Sequence, residues 1–437
     1  MMRVKLAPDE VREAGGTILH YIREQRSTAA MFARAGVDLY ERYFDHFSYV
    51  SVSDHPGTAD YTINLSTDQL DDATADEWTF VHQAIPADEV VRNERIFRLI
   101  IPYERAIAHV FAASISILRV LRNVRPALVI SHTVDAYVVD VLARLCDALA
   151  IPVIGLSPLS FRDDLLRITV RGEYNRVRQV PRDEVTSFVN QFQLNYNNSF
   201  APNPARVYRK AARSYATYQY KRWYHYAFKY QLLSRFTYQN LSTRAAAYVK
   251  SIPTALTGIA IMNSALRSDR LEVELDGATK SAFLPLHLTP EATTEYWVDS
   301  EDYYYYELSL LRCLRELTDK GYTIFVKEHP MMYMKRPRRL YDRLQRFPSV
   351  RMVHPFELST NLVTKSDLVV IQTGSVGVEA IMLGTAIVRS EAVPYYCTAE
   401  QVPSLFDRDW ESALVKPRQK EKMHLAERVL SNCVTRK

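Results

Sequence analysis

Residues 368–389 run Leu-Val-Val-Ile-Gln-Thr-Gly-Ser-Val-Gly-Val-Glu-Ala-Ile-Met-Leu-Gly-Thr-Ala-Ile-Val-Arg. The apolar run Leu368 to Ile371 predicts a buried strand, Val376 to Leu383 a helix, and Ala386 to Arg389 a second strand. Strand, helix and strand in so short a stretch predict a parallel βαβ unit. The chain has only 12 glycines, and two of them, Gly374 and Gly377, fall between the first strand and the end of the helix's first turn. Small residues there let backbone N–H groups approach an anion, and the helix N-terminus adds a favourable partial charge. Glu379 lies four residues after Ser375, so both project on one helix face. A carboxylate there can accept hydrogen bonds from the ribose hydroxyls of a nucleotide whose phosphate rests on Thr373, Gly374, Ser375 and Gly377. The alternative is a tight strand-to-helix turn with a surface glutamate. A capping box needs a spacing of three, which Ser375 and Glu379 do not have.

The same rhythm extends upstream. Ser281–Leu288, Thr323–Lys327 and Val350–Val353 predict strands, and Ser300–Lys320, Arg338–Gln345 and Phe356–Lys365 predict helices. That is a doubly wound sheet, whose ligand belongs beyond the carboxyl ends of the strands. Val326-Lys-Glu-His-Pro330 ends one of those strands, and alternation puts Lys327 and His329 on one side and Glu328 on the other. A lysine and an imidazole at a strand end suit a phosphate. A histidine satisfied by loop backbone is the alternative. Leu284-Pro-Leu-His-Leu-Thr-Pro-Glu-Ala-Thr-Thr294 places His287 and Glu291 at the same edge, or else forms an N-capping turn on Thr289 and Pro290.

A second unit begins at Ala127–Ile130, which predicts a strand. Ser131-His132-Thr133 opens a helix to about Leu149, and Ile151–Leu156 is the next strand. The first hundred residues read mostly as helix, over Val11–Ala35 and Val90–Leu121, with no clear opening strand. The turn-rich stretch Asn195–Pro204 marks a boundary.

Composition bounds the remaining possibilities. Of 437 residues, 47% are hydrophobic and 24% charged, which is the profile of a folded protein. No apolar window is long enough for a transmembrane helix, and Asp9, Glu10, Glu13 and Glu24 argue against a secretory leader, so a cytoplasmic setting is expected. Cys146, Cys313, Cys397 and Cys433 form no CxxC pair, so neither a zinc site nor a disulfide framework is expected. The net charge of +5 conceals an asymmetry: residues 185–268 contain no acid, and 205–250 contain ten bases and nine tyrosines. Such a segment suits an anionic membrane face, an anionic glycan, or single-stranded nucleic acid. No RNA-binding signature accompanies the bases, so nucleic acid is not the expected partner.

The three strand-end motifs, in this order, resemble the C-terminal half of bacterial capsule and surface polysaccharide biosynthesis proteins. That family is similar to the capsule β-Kdo transferases. The resemblance covers about residues 281–390, with Ala127–Leu156 matching more weakly. It implies a GT-B fold, in which two Rossmann-type domains face a cleft, here with a basic helical insert. It implies that His329 and Ser375 meet the donor phosphate and Glu379 the ribose. The expected domains are 1–200 on the acceptor side, a connector at 201–270, and a nucleotide-sugar-binding domain at 271–437. The expected activity moves a Kdo-like sugar acid from a CMP donor to a glycan. A UDP-sugar transferase and a sugar-nucleotide epimerase are the alternatives. No cofactor beyond the nucleotide-sugar is expected. Phosphate charge falls to Lys327, His329 and the helix dipole rather than to a metal, because the sole Asp-x-Asp, Asp407-Arg-Asp409, follows no apolar strand. The base is expected from the opposite domain, with Asp135 and His132 as candidates beside Asp163 and Asp164.

Overall fold

A computed structural model describes residues 16–22, 47–55, 57, 59–94, 97, 101–159, 162–199, 213, 216–217, 220, 260–261, 264–288, 296–297, 306–332, 336–372, 374–390, 393–394, 396–398 and 400–435. Thr373, Glu291 and nearly all of the 205–250 segment lie outside the described residues.

The first sheet contains β1 (Gly16–Tyr21), β2 (Phe47–Ser53), β3 (Tyr61–Thr62), β4 (Leu128–His132), β5 (Val153–Leu159) and β6 (Arg162–Ile168). The second contains β7 (Ser281–Pro285), β8 (Thr323–Lys327), β9 (Val350–Val353), β10 (Leu368–Ile371) and β11 (Ala386–Arg389). A last strand, β12 (Cys433–Thr435), returns to the first sheet and pairs antiparallel with β6. The strand orders are β12-β6-β5-β4-β1-β2-β3 and β11-β10-β7-β8-β9. In each, a parallel core runs 3-2-1-4-5 in local order, the doubly wound arrangement.

The structure departs from the sequence expectations at several points. The opening strand exists: β1 lies centrally between β2 and β4, both parallel to it. Ile18, Leu19 and Tyr21 fit a helical spacing as well as a two-sided buried strand, and only distant pairing separates the two. A Cβ at Gly16 would stand 2.6 Å from the Ala127 side chain, so this glycine permits the close approach of the chain entering β4. Next, Ser131 and His132 belong to β4, and the helix after it begins at Tyr137 rather than at Ser131. Finally, Asn195–Ser199 is the end of a helix, Arg182–Ser199, rather than a turn-rich break.

The helices are α1 (Ala75–Ala84), α2 (Ala87–Asn93), α3 (Tyr103–Val124), α4 (Tyr137–Ala148), α5 (Arg182–Ser199), α6 (Ser268–Gly277), α7 (Tyr306–Asp319), α8 (Arg338–Leu344), α9 (Ser359–Lys365), α10 (Val376–Leu383) and α11 (Gln419–Ser431). The expected helix Val90–Leu121 is thus split into α2 and α3, with Pro102 as N-cap of the second. Helix α3 is long and apolar enough by composition to cross a bilayer, yet 61% of that window is buried within the fold. It packs against α4 and α2 as a core helix.

Strand alternation distributes the second core over two faces. Phe283, Phe325, Val369 and Ile371 meet α5, α10 and α11 on one side. Ala282, Leu284, Ile324, Val326, Leu368 and Val370 meet α7 and Tyr341 on the other. All four cysteines are free and buried.

Candidate functional site

In a 3-2-1-4-5 sheet the chain leaves strands 1 and 4 toward opposite faces, which opens a crevice at their carboxyl ends. In the second sheet those strands are β7 and β10, which pair directly. His287 follows β7, and Gly374 follows β10. A Cβ added to Gly374 would lie 3.3 Å from His287 Cε1, so the absent side chain leaves room for the imidazole. The Tyr396 hydroxyl donates to the Gly374 carbonyl at 2.9 Å. A Cβ on Gly377 would collide with that same hydroxyl. Gly377 therefore makes room for the tyrosine that holds the loop. Ser375 is the N-cap of α10 without a side-chain capping bond, and it remains partly exposed. The first-turn amides of α10 thus head a helix whose N-terminus opens at the crevice.

Lys327 ends β8 with 6% exposure and donates to Ser359 Oγ at 3.1 Å. Burial pushes its ammonium down to about 8, against the attraction of Glu379, Glu328 and Glu357. Glu379, buried on the first turn of α10, is the strongest of these attractions. His354 follows β9 next door, and it is pushed down to about 4 by burial and by the charges of Arg267 and Lys327.

Glu328 turns to the opposite face of the sheet, as alternation predicts. Its carboxylate takes both Arg336 Nε at 2.5 Å and Arg336 Nη2 at 2.9 Å, and it accepts from the Tyr341 hydroxyl at 2.9 Å. His329, partly exposed, lies beyond the strand, and its backbone N–H donates to Glu328 Oε1 at 2.7 Å. Burial drives the His287 imidazole down to about 3, and the neighbouring His329 and Arg336 add to the effect. His287 is therefore a neutral ring that can donate or accept, next to a glycine loop and a second histidine.

The first sheet has its own crevice between β1 and β4. His132 ends β4, partly exposed, and Asp135 follows, also partly exposed. Asp135 precedes α4 rather than lying in its first turn. Ala136 is the N-cap without a side-chain bond, and the Tyr137 N–H is taken by Glu94 at 2.9 Å. Asp163 and Asp164 lie within β6, with Asp164 exposed. Asp407 accepts from the Ser404 N–H at 3.0 Å in a turn. The two halves meet where the Trp297 indole donates to the Val134 carbonyl at 3.0 Å, with the Arg167 guanidinium 4.6 Å from the Trp297 ring. Tyr296 reaches Glu94 at 2.7 Å. Tyr296 and Trp297 thus bind the first half at Glu94 and at Val134, the residue before Asp135.

Lys327, His329, His287, Gly374, Ser375 and Glu379 all lie at the second sheet's carboxyl edge, and His132 and Asp135 at the first's. Arg336, Tyr306, His354 and Gln372 join the second group without having been expected from spacing. Both amide atoms of Gln372, one residue past β10, are enclosed without a hydrogen-bond partner among the described residues. His354-Pro355 repeats the strand-end His329-Pro330 pair, a signal available in the sequence. Arg336 had none.

No protein-family model matches the chain, and no curated protein matches it. Among solved structures, the UDP-GlcNAc 2-epimerase from Methanocaldococcus jannaschii aligns at 14% identity and TM-score 0.25, covering 96% of this chain and 98% of that one. The Thermosulfurimonas dismutans KpsC β-Kdo 2,7 transferase aligns at 8% identity and TM-score 0.36, covering 96% and 95%. The β-Kdo 2,4 transferase of the same organism aligns at 14% identity and TM-score 0.33, covering 68% and 78%.

Proposed function

We propose that this chain is a glycosyltransferase of surface polysaccharide assembly that binds a nucleotide-activated sugar at the β7–β10 crevice. The observation that carries the reading is the approach of His287 to Gly374 at the switch point, with His329 in electrostatic reach of His287 and Lys327 in electrostatic reach of Glu379 on α10. Phosphate on the α10 N-terminus gains from the helix dipole and from Lys327. As the bond between the sugar's anomeric carbon and the phosphate oxygen breaks, the bonding pair leaves with the nucleotide. His329 and His287 meet that growing charge with hydrogen bonds. The acceptor hydroxyl forms the new bond and gives its proton to Asp135, or to His132, across the cleft. The donor is a CMP-linked Kdo-like sugar acid. The 205–250 segment docks the protein on an anionic membrane face, where a lipid-linked acceptor would be met.

The test is acceptor dependence. CMP release from a CMP-sugar acid should require a glycan acceptor and should yield an extended glycan. Acceptor-independent conversion of a UDP-sugar to its epimer would replace this reading with the epimerase one.

A further inference from the structure

The Glu328–Arg336 pair is not among the phosphate contacts described above, yet it grips both histidine segments. Glu328 is 0% exposed and Arg336 2%, and they form a two-pronged ion pair. Arg336 Nη2 also donates to the His287 carbonyl at 2.6 Å. Glu328 Oε1 accepts the His329 backbone N–H at 2.7 Å. The backbone of His287 is held from its other end too. Its N–H donates to the Tyr306 hydroxyl at 2.9 Å, and the Tyr306 ring centroid lies 5.8 Å from the Arg336 guanidinium.

Burying two charges this deeply carries a large desolvation penalty, and apolar side chains of the same volume often fold as well or better. Stability alone therefore does not account for the pair. What apolar residues cannot do is hold a carbonyl on one strand end and an N–H on the next at fixed distances from one rigid unit.

We propose that Glu328 and Arg336 are positioning residues of the nucleotide site, fixing the backbones of His287 and His329 at the carboxyl edge where the His287 imidazole lies against Gly374. The ligand in this statement rests on the function proposed above, whereas the imidazole geometry does not. Burial first, then His329 and then the Arg336 charge keep the His287 ring neutral.

The experiment compares the wild-type chain with Glu328→Gln/Arg336→Met, which removes both charges together. Three quantities are read: melting temperature, calorimetric Kd for CMP and for UDP, and the nuclear Overhauser effect between the His287 ring and the Gly374 α-protons. The expected result is an unchanged or raised melting temperature, with affinity weakened about tenfold or more and the Overhauser effect abolished. Wild-type affinity and an undiminished Overhauser effect in the folded double variant would overturn the proposal. Should that variant not fold, Arg336→Lys keeps the charge and loses the fork, and the same two outcomes decide. If the wild-type chain binds neither nucleotide, the function proposed above fails, and the Overhauser effect alone decides the positioning role.

Discussion

The two sheets share one strand order and differ in what stands at the crevice between local strands 1 and 4. In the first, the β1 and β2 ends carry Tyr21, whose hydroxyl donates to Asp54 at 3.0 Å, and the β4 end leads to His132 and Asp135. In the second, His287, Lys327, Glu328, His329, His354 and Glu379 crowd the strand ends, most of them buried. Topology sets where a ligand can sit. On the function proposed above, the second crevice takes the anionic nucleotide through the α10 N-terminus, Lys327 and the histidines, and the first takes the acceptor hydroxyl with its base.

The sharpest break in that comparison is a pair of variants. Asp135→Asn should lower kcat while leaving the CMP affinity at its wild-type value, because it touches only the first crevice. His329→Ala should lower kcat about 10²- to 10³-fold, as expected on removing one stabilising donor, and raise the donor KM less. Steady-state and binding data on both variants check this. Equal losses of nucleotide affinity in the two would erase the division of labour.

Glu379→Ala comes next, with nucleotide binding weakened by about 1–3 kcal/mol. Because Glu379 is also the strongest attraction on Lys327, the variant should in addition lower the pH at which Lys327 titrates. Calorimetry across pH separates the two effects.

The second crevice was legible in the sequence to the extent that it is made of strand ends. Thr323–Lys327, Val350–Val353, Leu368–Ile371 and Ala386–Arg389 are short apolar runs closed by glycine, proline or charge, and they are strands with those limits. Lys327 ends such a run, His329 lies just beyond it and Gly374 closely follows Leu368–Ile371, so these could be placed; His287 falls just past β7, which closes at Pro285 rather than at the expected Leu288. Strand β1 escaped because its identity rests on pairing with residues some thirty and more than one hundred positions away, as Ile18 does with Tyr49 and Leu128. Arg336 and Tyr306 escaped for a related reason. They act by side-chain reach between segments, and spacing along the chain does not encode reach.

A smaller effect concerns pH. Lys327 is pushed from 10.5 to about 8 in the folded chain, so between these values the unfolded chain holds more protons. Its contribution to stability therefore rises as pH climbs from about 8 to 10.5 and falls on the way back down. Lys327→Met should flatten that part of the wild-type melting profile, and should remove any loss of nucleotide affinity above pH 8. An identical profile in the variant would mean that Lys327 titrates as an ordinary surface lysine.

The smallest expected effect lies outside both crevices. Changing Lys221, Arg222 and Lys229 to Glu should weaken binding to vesicles of anionic lipid, at about 1 kcal/mol per base at best, with soluble acceptors still turned over. Abolished turnover with no vesicle affinity would assign the segment to the glycan instead.

A crystal structure of the chain soaked with CMP would show which crevice holds the nucleotide. Phosphate density is expected within hydrogen-bond distance of the Gly374–Ser375 amides and of the His287 or His329 ring, with the ribose on Glu379. Nucleotide density at the β1–β4 edge of the first sheet, beside His132, would contradict that expectation.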